Sequence, residues 1–269
     1  MDSHRNCIRF AAAVGALALG VGLAGSARAV DGVIEINQAS VKAAGGFPFV
    51  ISNTGSYRLT SNLDVTDASA RPMGMAPENT TAIKVSADDV SVDLNGFTIK
   101  GPTVCSGSPI NCSPKGTGMG IDFSGYSGGN VTNGTVRGMG FDGVVFAGLV
   151  EKVRAISNGG HGIQAVTATN CAGEQNLGDG IVAEVVTGSR ARLNGSDGIA
   201  ASKVANSEAV QNRLSGFIAT NVSGCVADGN LAVGIVANVA TGCEAKNNST
   251  QILAAGITGL NICAGVPCP

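Results

Sequence analysis

Tryptophan is missing from this sequence altogether, tyrosine and histidine occur twice each, and charged residues make up only 13% of its 269 positions. Each shortage excludes something. With aromatics at 4%, a globular core built on large rings is not available, whereas 40 glycines suit an extended stack around a thin core of small residues. A formal net charge of −2 lacks the basic footprint that nucleic acid requires, so no nucleic-acid partner is expected. One of the two histidines, His4, lies in an N-terminal targeting segment; His161 alone then remains, which excludes a multi-histidine zinc centre and strains any Ser-His-Asp arrangement. No Cys-x-x-Cys or Cys/His spacing suggests a metal site. No apolar run reaches the roughly 20 residues of a membrane-spanning helix, so no membrane span is expected.

What is present begins with an export signal. "MDSHRNCIR" carries Arg5 and Arg9, the apolar run "FAAAVGALALGVGLA" follows, and "GSARA" places Ala27 and Ala29 at the small-residue positions of a cleavage site. Residues 1–29 are therefore read as a signal peptide, with the mature chain starting at Val30 and the protein exported to the periplasm or the extracellular space. No cysteine stands at the cleavage position to accept a lipid. An oxidising compartment permits disulfides. Cys105 and Cys112 bracket "SGSPIN", and Cys263 and Cys268 bracket "AGVP", and both pairs are expected to form local bridges.

The strongest signal is a repeat. Asn158, Asn176, Asn194, Asn212, Asn230 and Asn248 stand eighteen apart, as do Gly162, Gly180, Gly198, Gly216 and Gly234. An apolar residue follows each glycine (Ile163, Ile181, Ile199, Phe217, Ile235), with alanine two further on. Apolar-x-apolar is the period of a strand. Asn170, Gly188, Asn206, Gly224 and Gly242, residues that tolerate left-handed backbone, mark a bend between two strand pieces. Eighteen residues cannot hold a crossover helix, so the chain must coil with successive turns stacked as parallel strands about 4.8 Å apart. The expected fold is all-β: a single-stranded parallel β-helix, a solenoid of mostly 18-residue coils with an N-terminal cap. An aliphatic residue every six positions, the mark of the left-handed form, is missing (Thr187 follows Ile181, Ala205 follows Ile199), which selects the right-handed form.

The organisation expected is a signal over 1–29, a cap and first strand over 30–80 with a capping helix in "IEINQASVKAA", the β-helix over 81–262, and a tail over 263–269. Two excursions, 66–79 and 101–118, interrupt the coils, and insertions in a solenoid collect on one side as loops that line a binding face.

The Asn-x-x-x-Gly-Ile repeats, "GSYRLTSNLDV", "AIKVSADDVSVDLNGFTIKG" and "NVTNGTVRGMGFDGVVF" resemble the right-handed parallel β-helix repeat proteins of pectin-lyase-like architecture, in their exported bacterial form. The resemblance covers roughly 50–260. It implies sugar-polymer lyases, hydrolases and epimerases, and also proteins with a binding role.

Several groups could carry chemistry. The residue before each repeat glycine runs Asp142, His161, Asp179, Asp197, Ser215, Val233. Stacked about 5 Å apart, such groups could raise one another's proton affinity, contact a ligand through Asp179 and Asp197, or hold Ca²⁺ at Asp142, Asp179 and Asp197. The bland alternative is that Asp before Gly is a turn residue, and the decay to Ser and Val favours it. The asparagines read as a stacking ladder, and Cys171, Cys225 and Cys243 as small core residues. Outward charges are expected to pair across coils as Arg190–Glu208, Glu174–Arg192 and Asp228–Lys246.

"GYSGG" at 125–129 and "GMGFDG" at 138–143 match hydrolase and dinucleotide motifs, but neither has its strand–turn–helix or βαβ context. "GHG" at 160–162 matches a motif of pectin hydrolases, yet their Asn-Thr-Asp is absent and Asp88-Asp89 sits too early in the chain. The leading function is thus an exported, non-catalytic scaffold that contacts a polysaccharide or another cell-surface component, with no cofactor other than an optional Ca²⁺. The alternative is a lyase or epimerase acting on an acidic glycan, using Asp93, Lys100, Asp122, Arg137, Asp142 or His161 beside the two excursions. Binding to ice or a crystal surface is a third, minor option. A catalytic reading requires the early charges to converge on one open groove.

Overall fold

The computed structural model describes residues 32–268. The expected export signal lies outside the described residues. Parallel strands stack about 18 residues apart into a β-solenoid of about seven turns, preceded by wider opening coils. Its regular coils alternate a long strand with a short one: Ile163–Thr169 with Ala172–Glu174, Ile181–Thr187 with Arg190–Arg192, Ile199–Ala205 with Glu208–Val210, and Phe217–Ser223 with Val226–Asp228. The register follows the repeat, with Ile163 beside Ile181, then Ile199, Phe217 and Ile235. The last coil is one residue short, so Ile235 meets Ile252.

Two strand pieces per coil prove too few. The long strand drops out of the ladder between Ala165 and Thr167, and again between Ala183 and Val185, so it splits into two faces. Face 1 is the 163–165 column, face 2 the 167–169 column, and face 3 the 172–174 column. The corner between faces 2 and 3 is the expected bend, with left-handed backbone at Asn170, Gly188, Asn206, Gly224 and Gly242. A further corner after face 3 is also left-handed, at Gln175, Leu193, Gln211, Gly229 and Asn247.

Inside, each coil contributes the apolar residue of face 1, a small aliphatic from face 2 and small residues from face 3, as in Ile181, Val186 and Ala191, all fully buried. Alanines such as Ala165 and Ala183 are only partly buried and pack at the edge of the core. The repeat glycines are not the bends they resemble in sequence. None has left-handed backbone. A Cβ on Gly198 would sit 2.6 Å from Gly216 O and 2.7 Å from Asn212 Nδ2, so the glycine is required by the approach of the next coil.

The N-terminal cap is strand then helix. Val33–Ile36 pairs in parallel with Gly55–Leu59, and the helix is confined to Gln38–Ala43. Its start is set by a capping box in which the Asn37 side chain accepts from Ser40 N–H and Ser40 Oγ accepts from Asn37 N–H. Val41, fully buried, seats it on the stack. Both expected disulfides form, Cys105–Cys112 and Cys263–Cys268, while Cys171, Cys225 and Cys243 are free and buried. No helix among the described residues is long and apolar enough to cross a membrane.

Candidate functional site

The Asp/His column is a hydrogen-bond ladder. Asp142 Oδ1 accepts from His161 N–H at 2.6 Å, His161 Nδ1 from Asp179 N–H at 3.1 Å, Asp179 Oδ1 from Asp197 N–H at 2.9 Å, and Asp197 Oδ1 from Ser215 N–H at 2.7 Å. Each side chain thus satisfies the one backbone donor that the corner leaves without a strand partner. His161 Nδ1 also stands 3.4 Å from Asp179 Oδ2. Asp142 is 1% exposed and its second oxygen accepts from Gln164 Nε2 at 2.6 Å. Burial pushes the carboxyls of Asp142 and Asp197 above their usual range, Asp197 further by repulsion from Asp179. Among the described residues no three His, Cys, Asp or Glu side chains are grouped to hold a metal, and the Ca²⁺ expectation for Asp142, Asp179 and Asp197 finds no converging oxygens.

The asparagines form a second ladder, inside the core. From Asn158 to Asn248 each Nδ2 donates to the next Oδ1 at 2.9–3.1 Å, and each backbone N–H donates to the same oxygen. The other Nδ2 hydrogen goes to a carbonyl of the preceding coil, as from Asn194 to Gly173 O at 2.9 Å. Asn176 and Asn212 are fully buried, so none of this is offered to a ligand.

The early-coil charges scatter. Asp122 is outward on face 1, in the column of Lys84, to which it is paired at 3.2 Å. Burial works to raise the Asp122 carboxyl, but bonds from Ser124 and the Lys84 ammonium outweigh it and hold it below the usual range. Asp93 is on face 2, paired with Arg58 at 3.5 Å. Lys100 is on face 3, paired with Asp64 at 3.3 Å, and Arg137 stands beside it in the same column. Asp142 and His161 sit at the corner between faces 3 and 1. With Asp122 on face 1, Asp93 on face 2 and Lys100 and Arg137 on face 3, these charges do not converge on one groove.

Of the expected cross-coil pairs, Arg190–Glu208 forms at 3.2 Å. Glu174 instead meets Arg154 on the preceding coil at 3.0 Å, and Lys246 meets Glu244 on its own strand at 3.0 Å. Face 3 carries two outward positions per strand, so diagonal and same-strand partners compete with the one directly across the ladder.

A concave site lies at the third corner. The excursion after face 3 of the opening coils folds into an antiparallel hairpin, Val104–Ser106 with Asn111–Ser113, closed by Cys105–Cys112. It lies along the third corner of the regular coils: both disulfide sulfurs approach Asn158 O, at 3.6 and 3.7 Å. Between its tip, Gly107–Ile110, and the corner residues Gln175, Leu193, Gln211 and Gly229 runs a groove of about 230 Å³. Arg213 is the one ionisable residue lining it. Gln175 has no side-chain hydrogen bond among the described residues, and Gln211 Oε1 accepts only from Arg192, at 3.4 Å. The groove offers amides, one cation and no carboxylate. Sequence reading placed a loop here but missed Gln175, Gln211 and Arg213; the available signal was Gln175 and Gln211 at twice the coil period. No family model matches the chain, and no curated protein and no solved structure matches it either.

Proposed function

We propose that this protein is an exported, right-handed β-helix scaffold of pectin-lyase-like type that contacts glycans without transforming them. The observation that carries the reading is the groove beneath the hairpin, where the amides of Gln175 and Gln211 repeat along a rigid corner and no carboxylate is among the lining residues. Amides and backbone groups recognise hydroxyls, and a general acid or base must stand within hydrogen-bond distance of the proton it moves. The signal-like N-terminus and two disulfides support export, to the periplasm or beyond. Retention of the protein on immobilised polysaccharides, weakened by Gln175→Ala with Gln211→Ala, is the expected result. Equal retention with and without a Ca²⁺ chelator is expected too. Parallel ultraviolet-absorbance assays on acidic and neutral polysaccharides should show no unsaturated product; such a product would replace this reading with a lyase.

A further inference from the structure

The last of the opening coils departs at one position from the register of the regular coils that follow it. Val144 pairs with Ile163 and Ala147 with Ala165, so one extra residue is accommodated as a bulge. The bulge holds Phe146 at φ 56°, a left-handed conformation that a bulky side chain rarely adopts, and leaves it 59% exposed. Strain of this kind persists only where the surroundings impose it, and it gathers at sites that present a side chain. Directly over it in the stack lies the "GYSGG" segment, set aside above as a hydrolase decoy. Phe123 N–H donates to Val145 O at 3.0 Å, and Gly148 N–H donates to Gly129 O at 2.7 Å, so the loop between these anchors stands above Phe146. Its Tyr126 is 38% exposed, whereas Tyr57 is buried. The loop is tied on its other side to Asp88, whose Oδ1 accepts from Ser127 N–H at 2.7 Å and Ser127 Oγ at 3.2 Å. Asp88 Oδ2 and the Asp89 carboxylate have no side-chain hydrogen bond among the described residues. No basic residue occurs in segments 86–89, 123–129 or 146–148.

We infer that the edge between faces 1 and 2, formed by Phe146, Tyr126, Asp88 and Asp89, is a second contact site, specific for a neutral sugar ring. Aromatic faces pack on the C–H face of a pyranose, and free carboxylate oxygens accept its hydroxyls. Two exposed carboxylates, with Lys84 on the same face already paired to Asp122 at 3.2 Å, repel a uronate and select a neutral glycan. This rests on the glycan-contact reading, but concerns a different part of the molecule from the hairpin groove.

The sequence has no tryptophan and two tyrosines, so in a Tyr57→Phe variant Tyr126 is the sole strong fluorophore. Titrating that variant with neutral gluco-, manno- and galacto-oligosaccharides, and with oligogalacturonate, should give a saturable change in tyrosine emission with a neutral sugar and none with the uronate. Phe146→Ala should weaken that binding about tenfold. Phe146→Gly should weaken it as much while raising the unfolding midpoint, because glycine relieves the left-handed backbone. Retention on polysaccharide with silent Tyr126 emission, a response only to the uronate, or unchanged affinity in both Phe146 variants would each overturn the site and leave the glycan-contact reading standing. Failure to retain any polysaccharide, with Tyr126 silent, would overturn both.

Discussion

The regular coils from Asn158 to Asn248 and the wider coils before them are built on one plan and differ in what they leave over. In the regular coils nearly every polar group has a partner eighteen residues away: asparagine to asparagine inside, Asp or His to backbone at the corner, Ser189 Oγ to Cys171 N–H on face 3. In the opening coils the core is larger, with Phe47, Leu63 and Phe123 fully or almost fully buried, and the chain makes room for a helix, two excursions and the Phe146 bulge. Repetition saturates side chains with one another; departures from it expose them. Both proposed contact sites therefore depend on the irregular part, the hairpin tip at one corner and the "GYSGG" loop at another, laid against the regular stack.

That contrast can be broken at several strengths. The largest effect is expected in the asparagine ladder. Asn194→Ala orphans the backbone N–H and one Nδ2 hydrogen of Asn176 and the carbonyl of Gly173, all buried, and should lower stability by about 3–5 kcal/mol in equilibrium denaturation. Because a solenoid is stabilised between neighbours, it should also split the single transition into two. Removing the hairpin bridge with Cys105→Ser and Cys112→Ser should cost about 2 kcal/mol for so short a loop. Its clearer consequence is loss of retention by the groove with the far-ultraviolet signal of the coils unchanged.

Acid titration separates the corner ladder from the ion-paired acids of the opening coils by sign. Burial raises the folded-state pKa of Asp142 and Asp197, so ionisation of these groups destabilises the fold at neutral pH, and stability is gained as pH falls through their folded pKa. Asp64 and Asp122 are held low, Asp64 by Thr66 and Lys100 against the effect of burial, so their contribution is present at neutral pH and is lost as pH falls toward their folded pKa. Asp197→Asn should thus unfold at a higher midpoint than the parent at pH 7 and lose that advantage near pH 3, while Asp122→Asn should do the reverse. The smallest effect belongs to the surface: Arg190→Ala removes an exposed pair with Glu208 and should change stability by at most about 1 kcal/mol, less in high salt.

Much of the stack was legible because its contacts are local in a particular sense. A residue meets its own equivalent one period on, so the eighteen-residue interval reveals the coil, the inward Ile181 and Ala191 columns and the asparagine ladder together. The third corner was not legible, because Gln175, Leu193 and Gln211 adopt left-handed backbone without the Gly or Asn that announces it. Gly198 misled for the opposite reason: it looks like a bend residue, but the constraint comes from Asn212 and Gly216 on the next coil. Glu174 and Lys246 found partners other than those expected because an exposed long side chain has several within reach.

From its own residues the chain determined the coil length, which side chains face inward, and the asparagine ladder, since each follows from a period repeated along the backbone. The disulfide pairs were equally local, being only 7 and 5 residues apart. Only the tertiary structure decided that Cys105–Cys112 comes to rest on Asn158, that the hairpin tip faces Gln175 and Gln211, and that the Tyr126 loop stands over Phe146. Those juxtapositions join segments with no common period, so they depend on where a loop leaves the stack and which corner has room to receive it.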